Sequence, residues 1–132
     1  MSRSSRNEEP KPLTPVELEL MQIVWRKGEV SVADVLEALP AERKLAYTSV
    51  STVLRILEQK GVLGSRKVGR GHLYSALLPR EAYEVQSVRH LVETVFDGTP
   101  SALVERLVEA VPLSPEEVEQ LRQLLARKGR KS

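Results

Sequence analysis

Between positions 48 and 72 the chain sets out Thr48, Ser49, Ser51, Thr52 and Arg55, and then Arg66, Lys67, Arg70 and His72. The first group is a cluster of short hydroxyls followed by a guanidinium; the second is a run of cations around Gly69 and Gly71. Hydroxyls donate and accept hydrogen bonds at short reach, a threonine methyl fits against a thymine methyl, and a guanidinium pairs with guanine or with phosphate. Cations on a turn neutralise phosphates and release their counterions. The chemistry these residue types can do is recognition of base edges and of a polyanionic backbone.

Bond-making chemistry has no comparable support. His72 and His90 are far apart and lack a metal-ligand spacing, and the chain has no cysteine for a thiolate site, a disulfide or a nucleophile. Gly69-Arg70-Gly71 is not followed by a helical pattern, so it reads as a turn and not as a phosphate cradle. The glutamates of the C-terminal half are spaced as exposed helix faces. We expect no enzyme, no cofactor and no metal.

To present the hydroxyls, the chain needs a helix. Val50, Val53, Leu54 and Leu57 follow the i, i+3, i+4, i+7 rule, which turns them into one core-facing arc. The opposite arc then carries Thr48, Ser51, Thr52, Arg55 and Gln59, with Ser49 and Ile56 at its margins. Thr48 or a residue just before it caps the helix, and Gly61 closes it. Val62 to Val68 and His72 to Leu77 read as two strands, with Gly69 and Gly71 permitting a tight turn that carries Arg70 at its tip.

Two earlier helices support this pair. Thr14-Pro15-Val16-Glu17 is a capping box, with Leu18, Met21, Val24 and Trp25 at helical spacing and Gly28 as the stop. Ser31 and Asp34 repeat the capping logic for a helix with Val32, Val35, Leu36 and Leu39 as its stripe, ended by Pro40. Residues 41–45 form a connector longer than the turn of a tight helix-turn-helix.

Past Pro79 three further helical patterns appear. Val88, Leu91, Val92, Val95 and Phe96 mark the first, Val104, Leu107, Val108 and Val111 the second, and Val118, Leu121, Leu124 and Leu125 the third, behind a Ser114–Glu117 capping box. Three short helices are too few to bury these stripes alone, so Val88, Leu91, Val92, Val95, Phe96, Leu107, Leu121, Leu124 and Leu125 are expected at a two-fold interface with a second copy. Charge divides the same way. Residues 1–80 hold thirteen Lys/Arg against nine Asp/Glu, residues 81–126 hold three against nine, and Arg127, Lys128, Arg130 and Lys131 follow. A basic half suits a polyanion and an acidic half suits protein.

The expected organisation is a flexible tail at 1–12, a winged-helix DNA-binding domain at 13–79, a helical dimerisation domain at 80–126 and a basic tail at 127–132. The fold class is mainly α with a small β-hairpin: a winged helix-turn-helix followed by three helices. No apolar run approaches the roughly 20 residues that span a bilayer, and no signal peptide is evident, so a cytoplasmic protein without membrane insertion is expected.

The segments LTPVELELMQIVW, YTSVSTVLRILEQKG, GHLYSALLPREAY and FDGTPSALVERLVE lie in order from about Leu13 to Leu125. Together they resemble the penicillinase-repressor (BlaI/MecI-type) transcriptional regulators. The resemblance implies a homodimer that represses by binding operators of dyad symmetry in double-stranded DNA. It places operator reading on Thr48, Ser49, Ser51 and Thr52 and wing contacts on Arg66, Lys67 and Arg70, positions that the face analysis also selects. It further implies a membrane sensor metalloprotease pathway that leads to cleavage in the C-terminal domain, often at an Asn-Phe bond in relatives. Arg106 and Leu107 occupy the matching positions here. The copper-responsive branch carries Cys-x-Cys motifs, which this chain lacks.

The sequence therefore reads as a dimeric repressor that occludes a promoter until a signal releases it. The alternative is a winged-helix protein-interaction module that does not bind DNA, in which Ile56 would help dock a partner.

Overall fold

A computed structural model describes residues 12–131, so the expected flexible tail falls almost wholly outside the described residues. Helix α1 (Pro15–Lys27) starts as its capping box requires. The Thr14 hydroxyl accepts the Glu17 N–H at 3.2 Å, and Glu17 Oε1 accepts the Thr14 N–H at 2.9 Å. Gly28 ends the helix at φ +96°, a conformation glycine adopts without a Cβ penalty. Helix α2 (Val32–Ala38) repeats the device with Ser31 and Asp34 at 3.1 and 2.9 Å. Helix α3 (Tyr47–Gln59) differs: Ala46 is its N-cap and supplies no side-chain bond. Thr48 is therefore a helical residue and not the cap.

The sheet has three strands where the sequence indicated two. Strand β1 (Glu29–Val30) pairs antiparallel with β3 (Gly71–Ala76), which pairs antiparallel with β2 (Leu63–Val68), giving the order β1-β3-β2. A strand of two residues is too short to show alternation, which is why periodicity missed it. The β2–β3 turn is tighter than expected. Val68 faces Gly71, leaving Gly69 and Arg70 as the turn, and only Gly69 has a positive φ, at +60°. Positive φ at the first central position alone is the type II′ pattern of two-residue hairpins.

The core gathers the undersides of all these elements: Leu20, Met21, Ile23 and Val24 of α1, Val30, Val32 and Val35, Val50, Leu54 and Leu57 of α3, and Leu63 and Tyr74 of the sheet. Leu20 and Ile23 join the α1 stripe read from sequence, while Leu18 is only half-buried. Trp25 packs at the edge of this core and makes a local anchor. Its Nε1 donates to the Leu78 carbonyl at 2.9 Å, its ring lies 5.8 Å from that of Tyr83, and the Arg80 guanidinium sits 5.2 Å over it. The Tyr83 hydroxyl in turn accepts the Leu13 N–H at 3.1 Å.

Arg80 and Tyr83 belong to helix α4 (Arg80–Thr94), so its first turns are built into the winged-helix unit. The chain divides into two compact units after Ser87, within α4 and not at Pro79. The second unit holds the rest of α4 with α5 (Pro100–Ala110) and α6 (Pro115–Lys131). The expected basic tail from Arg127 is a continuation of α6, at least to Lys131. Glu116 and Glu117 in its first turn and Arg127, Lys128 and Arg130 near its end match the helix dipole, which favours this extension.

Candidate nucleic-acid interface

At about 100° per residue, α3 separates into two sides. Val50, Leu54 and Leu57 have no exposed surface, while Thr48, Thr52, Arg55 and Gln59 are exposed together on the opposite arc. Ser51 is half-buried on the flank that also carries Glu58, and Ser49 is exposed on the other flank beside Ile56. Four of the five residues expected on this helix thus share open solvent, and Ser51 is partly sheltered. Tyr47, the first helical residue, was not singled out from sequence, yet it is 58% exposed beside them.

The backbone at this end is also open. α1 and α2 spend their first N–H groups on capping side chains, but Ala46 offers none to α3. The leading N–H groups of a helix point outward with a partial positive charge, the arrangement that phosphate oxygens accept.

Strand register decides what the wing contributes. Ser65 faces Tyr74 and Lys67 faces His72 across the β2–β3 ladder, and residues two apart share a face. That face is turned to α3, because the Ser65 hydroxyl donates to Glu58 Oε2 at 2.7 Å and Tyr74 is buried. Burial pushes the Tyr74 phenol pKa up, as does the Glu58 carboxylate, with Arg55 working against them. Lys67 and His72 continue the same face toward the hairpin tip, and both are exposed. Arg70 stands exposed in the turn.

Arg66 lies on the other face. It is opposite Leu73, and it forms a two-pronged ion pair with Glu29 of β1. The Glu29 bond raises the Arg66 pKa, and Arg66's hydrogen bond lowers that of Glu29. The structure thus puts Lys67 and His72 on the wing face that meets α3 and Arg66 on the opposite one.

A second contact outside the expected set fixes α3 in place. Lys60, at the helix C-cap, donates to Glu17 Oε2 at 2.7 Å, and Glu17 is buried. The same carboxylate therefore caps α1 with one oxygen and holds the end of α3 with the other. Across the connector, Arg43 Nε donates to both carboxylate oxygens of Glu19, at 2.9 and 3.1 Å. No signal local to Lys60 or Arg43 could reveal these pairs, because their partners are 43 and 24 residues away.

Among the described residues no group of three His, Cys, Asp or Glu is placed to hold a metal ion. Comparison with known proteins adds a family. The penicillinase repressor family matches residues 13–127, from the α1 cap into the last turns of α6. The chain belongs to the penicillinase repressor family. Within it, the methicillin resistance regulatory protein MecI of Mammaliicoccus sciuri is 26% identical over 88% of this chain and 94% of its own length. The penicillinase repressor of Bacillus licheniformis is 27% identical over 86% and 88%. Among solved structures, the DNA-binding domain of the repressor BlaI superposes with a TM-score of 0.50 at 25% identity, over 57% of this chain and 90% of that domain.

The second unit of this family member carries the residues expected at a dimer interface. Val88, Leu91, Val95, Leu107, Leu124 and Leu125 are exposed in the isolated chain, while Val92, Phe96 and Leu121 are half-buried. Arg106 and Leu107 lie inside α5, where Arg106 also pairs with Glu109 at 2.6 Å. A bond inside a helix is open to a protease only after local unwinding. Among the described residues no helix is long and apolar enough to cross a membrane.

Proposed function

We propose that this chain is a homodimeric, cytoplasmic transcriptional repressor that binds a dyad operator in double-stranded DNA and occludes the promoter. The observation that carries the reading is the exposed arc of Thr48, Thr52 and Arg55 on α3, together with Lys67 and His72 exposed on the wing face that meets the same helix. The hydroxyls and Arg55 would read base edges from α3, with Ser49 and Ser51 at its flanks. Lys67, Arg70 and His72 would hold phosphates, which give affinity without sequence information. Family membership and the named function of the BlaI domain support the same reading.

Dimerisation follows from the apolar stripes of α4, α5 and α6. Ten large apolar side chains from Val88 to Leu125 are exposed in the second unit, and apolar surface gathered into a patch marks an interaction site. Pairing two copies buries them and places two α3 helices on half-sites about one helical turn, or a multiple, apart. Release would come from a signal that undoes the dimer. Cleavage at Arg106–Leu107, downstream of a membrane sensor metalloprotease, would do so by cutting α5.

A mobility-shift and footprinting series on genomic fragments tests the reading. A protected dyad at moderate salt is expected. No footprint at any fragment would instead favour the protein-docking alternative, for which Ile56, 37% exposed at the edge of the arc, is the supporting observation.

A further inference from the structure

Arg66 is the one cation of the hairpin whose fork is already occupied. Its Nε donates to Glu29 Oε2 at 2.7 Å and its second terminal nitrogen to Oε1 at 3.1 Å. Among the described residues, Lys67 and Arg70 form no ion pair. Register produces the match: Arg66 faces Leu73, Glu29 faces Ser75, and residues two apart on β3 lie on one face. Strand β1 exists only through its pairing with β3, so the fold, and not sequence proximity, delivers this carboxylate to the wing.

Both side chains are largely open to solvent, at 63% and 39%. Exposed pairs of this kind add little to the stability of a fold. What the pair changes is the charge the wing presents. A carboxylate and a phosphate offer a guanidinium the same two-pronged geometry, so each excludes the other from Arg66.

Taking the DNA-binding reading above as given, we propose that Glu29 sets the affinity of the wing by competing with DNA phosphate for Arg66. Glu29 is then an affinity-determining residue that touches no DNA. The hairpin works with a reserve cation, neutralised in the free protein and available when the carboxylate is lost.

The test is a double-mutant cycle on the full chain: wild type, Glu29→Gln, Arg66→Ala and the double variant, titrated with a footprinted fragment and with random duplex across a salt series. Glu29→Gln should tighten binding to both DNAs by about twofold to tenfold at low salt and steepen the salt slope by about one unit, the effect of one further phosphate contact. Arg66→Ala alone should change affinity and slope little, and in the double variant the gain should vanish. An equal gain with and without Arg66 would mean that Glu29 acts only by its bulk charge, and the proposal fails. Weaker binding by Glu29→Gln would mean that the pair holds the wing in its DNA-competent shape, which also overturns it. If none of the four proteins shows salt-dependent binding, the DNA-binding reading itself falls; binding with an additive cycle removes this inference alone.

Discussion

Truncating Glu17 should cost this protein more than any other change to a charged group in the winged-helix unit. Its side chain is only 7% exposed, and its two oxygens serve Thr14 N–H at 2.9 Å and Lys60 Nζ at 2.7 Å. Glu17→Ala removes half of a capping box, about 1 kcal/mol. It also removes a charge-assisted hydrogen bond, nominally about 1.5–3 kcal/mol. Because the Lys60 ammonium is 44% exposed and rehydrates once freed, we discount that second contribution to about 1 kcal/mol. The sum is about 2 kcal/mol, or a fall in Tm of roughly 8–16 °C for a unit of this size. Glu17→Gln keeps an acceptor for Thr14 and loses only the charge, so about 1 kcal/mol is expected. Thermal and urea unfolding at fixed protein concentration, followed by circular dichroism, measures both. The pH dependence gives an independent check. Burial raises the Glu17 pKa, but the Lys60 hydrogen bond, the Thr14 N–H and the Lys60 charge together bring it below the ordinary value. A depressed carboxylate pKa means stability that is complete above the unfolded pKa of about 4.3 and lost as pH falls through the folded value. The gap between wild type and Glu17→Gln should therefore be constant near neutrality and close below about pH 4. A Glu17→Ala cost within about 0.5 kcal/mol, the range of an ordinary surface change, would refute the reasoning.

Three other outcomes are expected. Thr52→Ala should weaken operator binding more than binding to random duplex, by about 1 kcal/mol if one base contact is lost; a uniform loss in competition titrations would place Thr52 on the backbone. Arg70→Ala should weaken both DNAs alike and lower the salt slope by about one unit, which a salt series measures directly. Val95, in the turn just after α4, is 65% exposed in the isolated chain, so Val95→Glu should leave helix content intact and yield monomers by sedimentation; a surviving dimer would move the interface off the end of α4.

Much of the fold was legible because its signals are short-range. The Thr14–Glu17 and Ser31–Asp34 boxes are closed within four residues, and Gly28, Gly61 and Gly69 sit where the backbone needs positive φ. The buried arc of Val50, Leu54 and Leu57 follows from helical period alone. The sequence leaves the start of α3 open between Thr48 and a residue just before it, because a hydroxyl favours the cap position; the cap is Ala46, and Tyr47 is the first helical residue. Arg127–Lys131 read as a tail because a basic polar run lacks periodicity, although its charges suit a helix C-terminus.

By itself the sequence determined the kind of elements, their order and the composition of the α3 face, since each depends on residues a few positions apart. It also determined that the second half carries more apolar surface than three helices can hide. Only the tertiary structure decided which side of the wing each cation occupies. Lys67 and Arg66 are neighbours in sequence, but the pleat sends them to opposite faces, and β1 then brings Glu29 to one of them. Tertiary packing also decided that Lys60 is held by Glu17 and that the first turns of α4 belong with Trp25. These pairings span tens of residues, where no local period or cap carries the information and packing alone selects the partner.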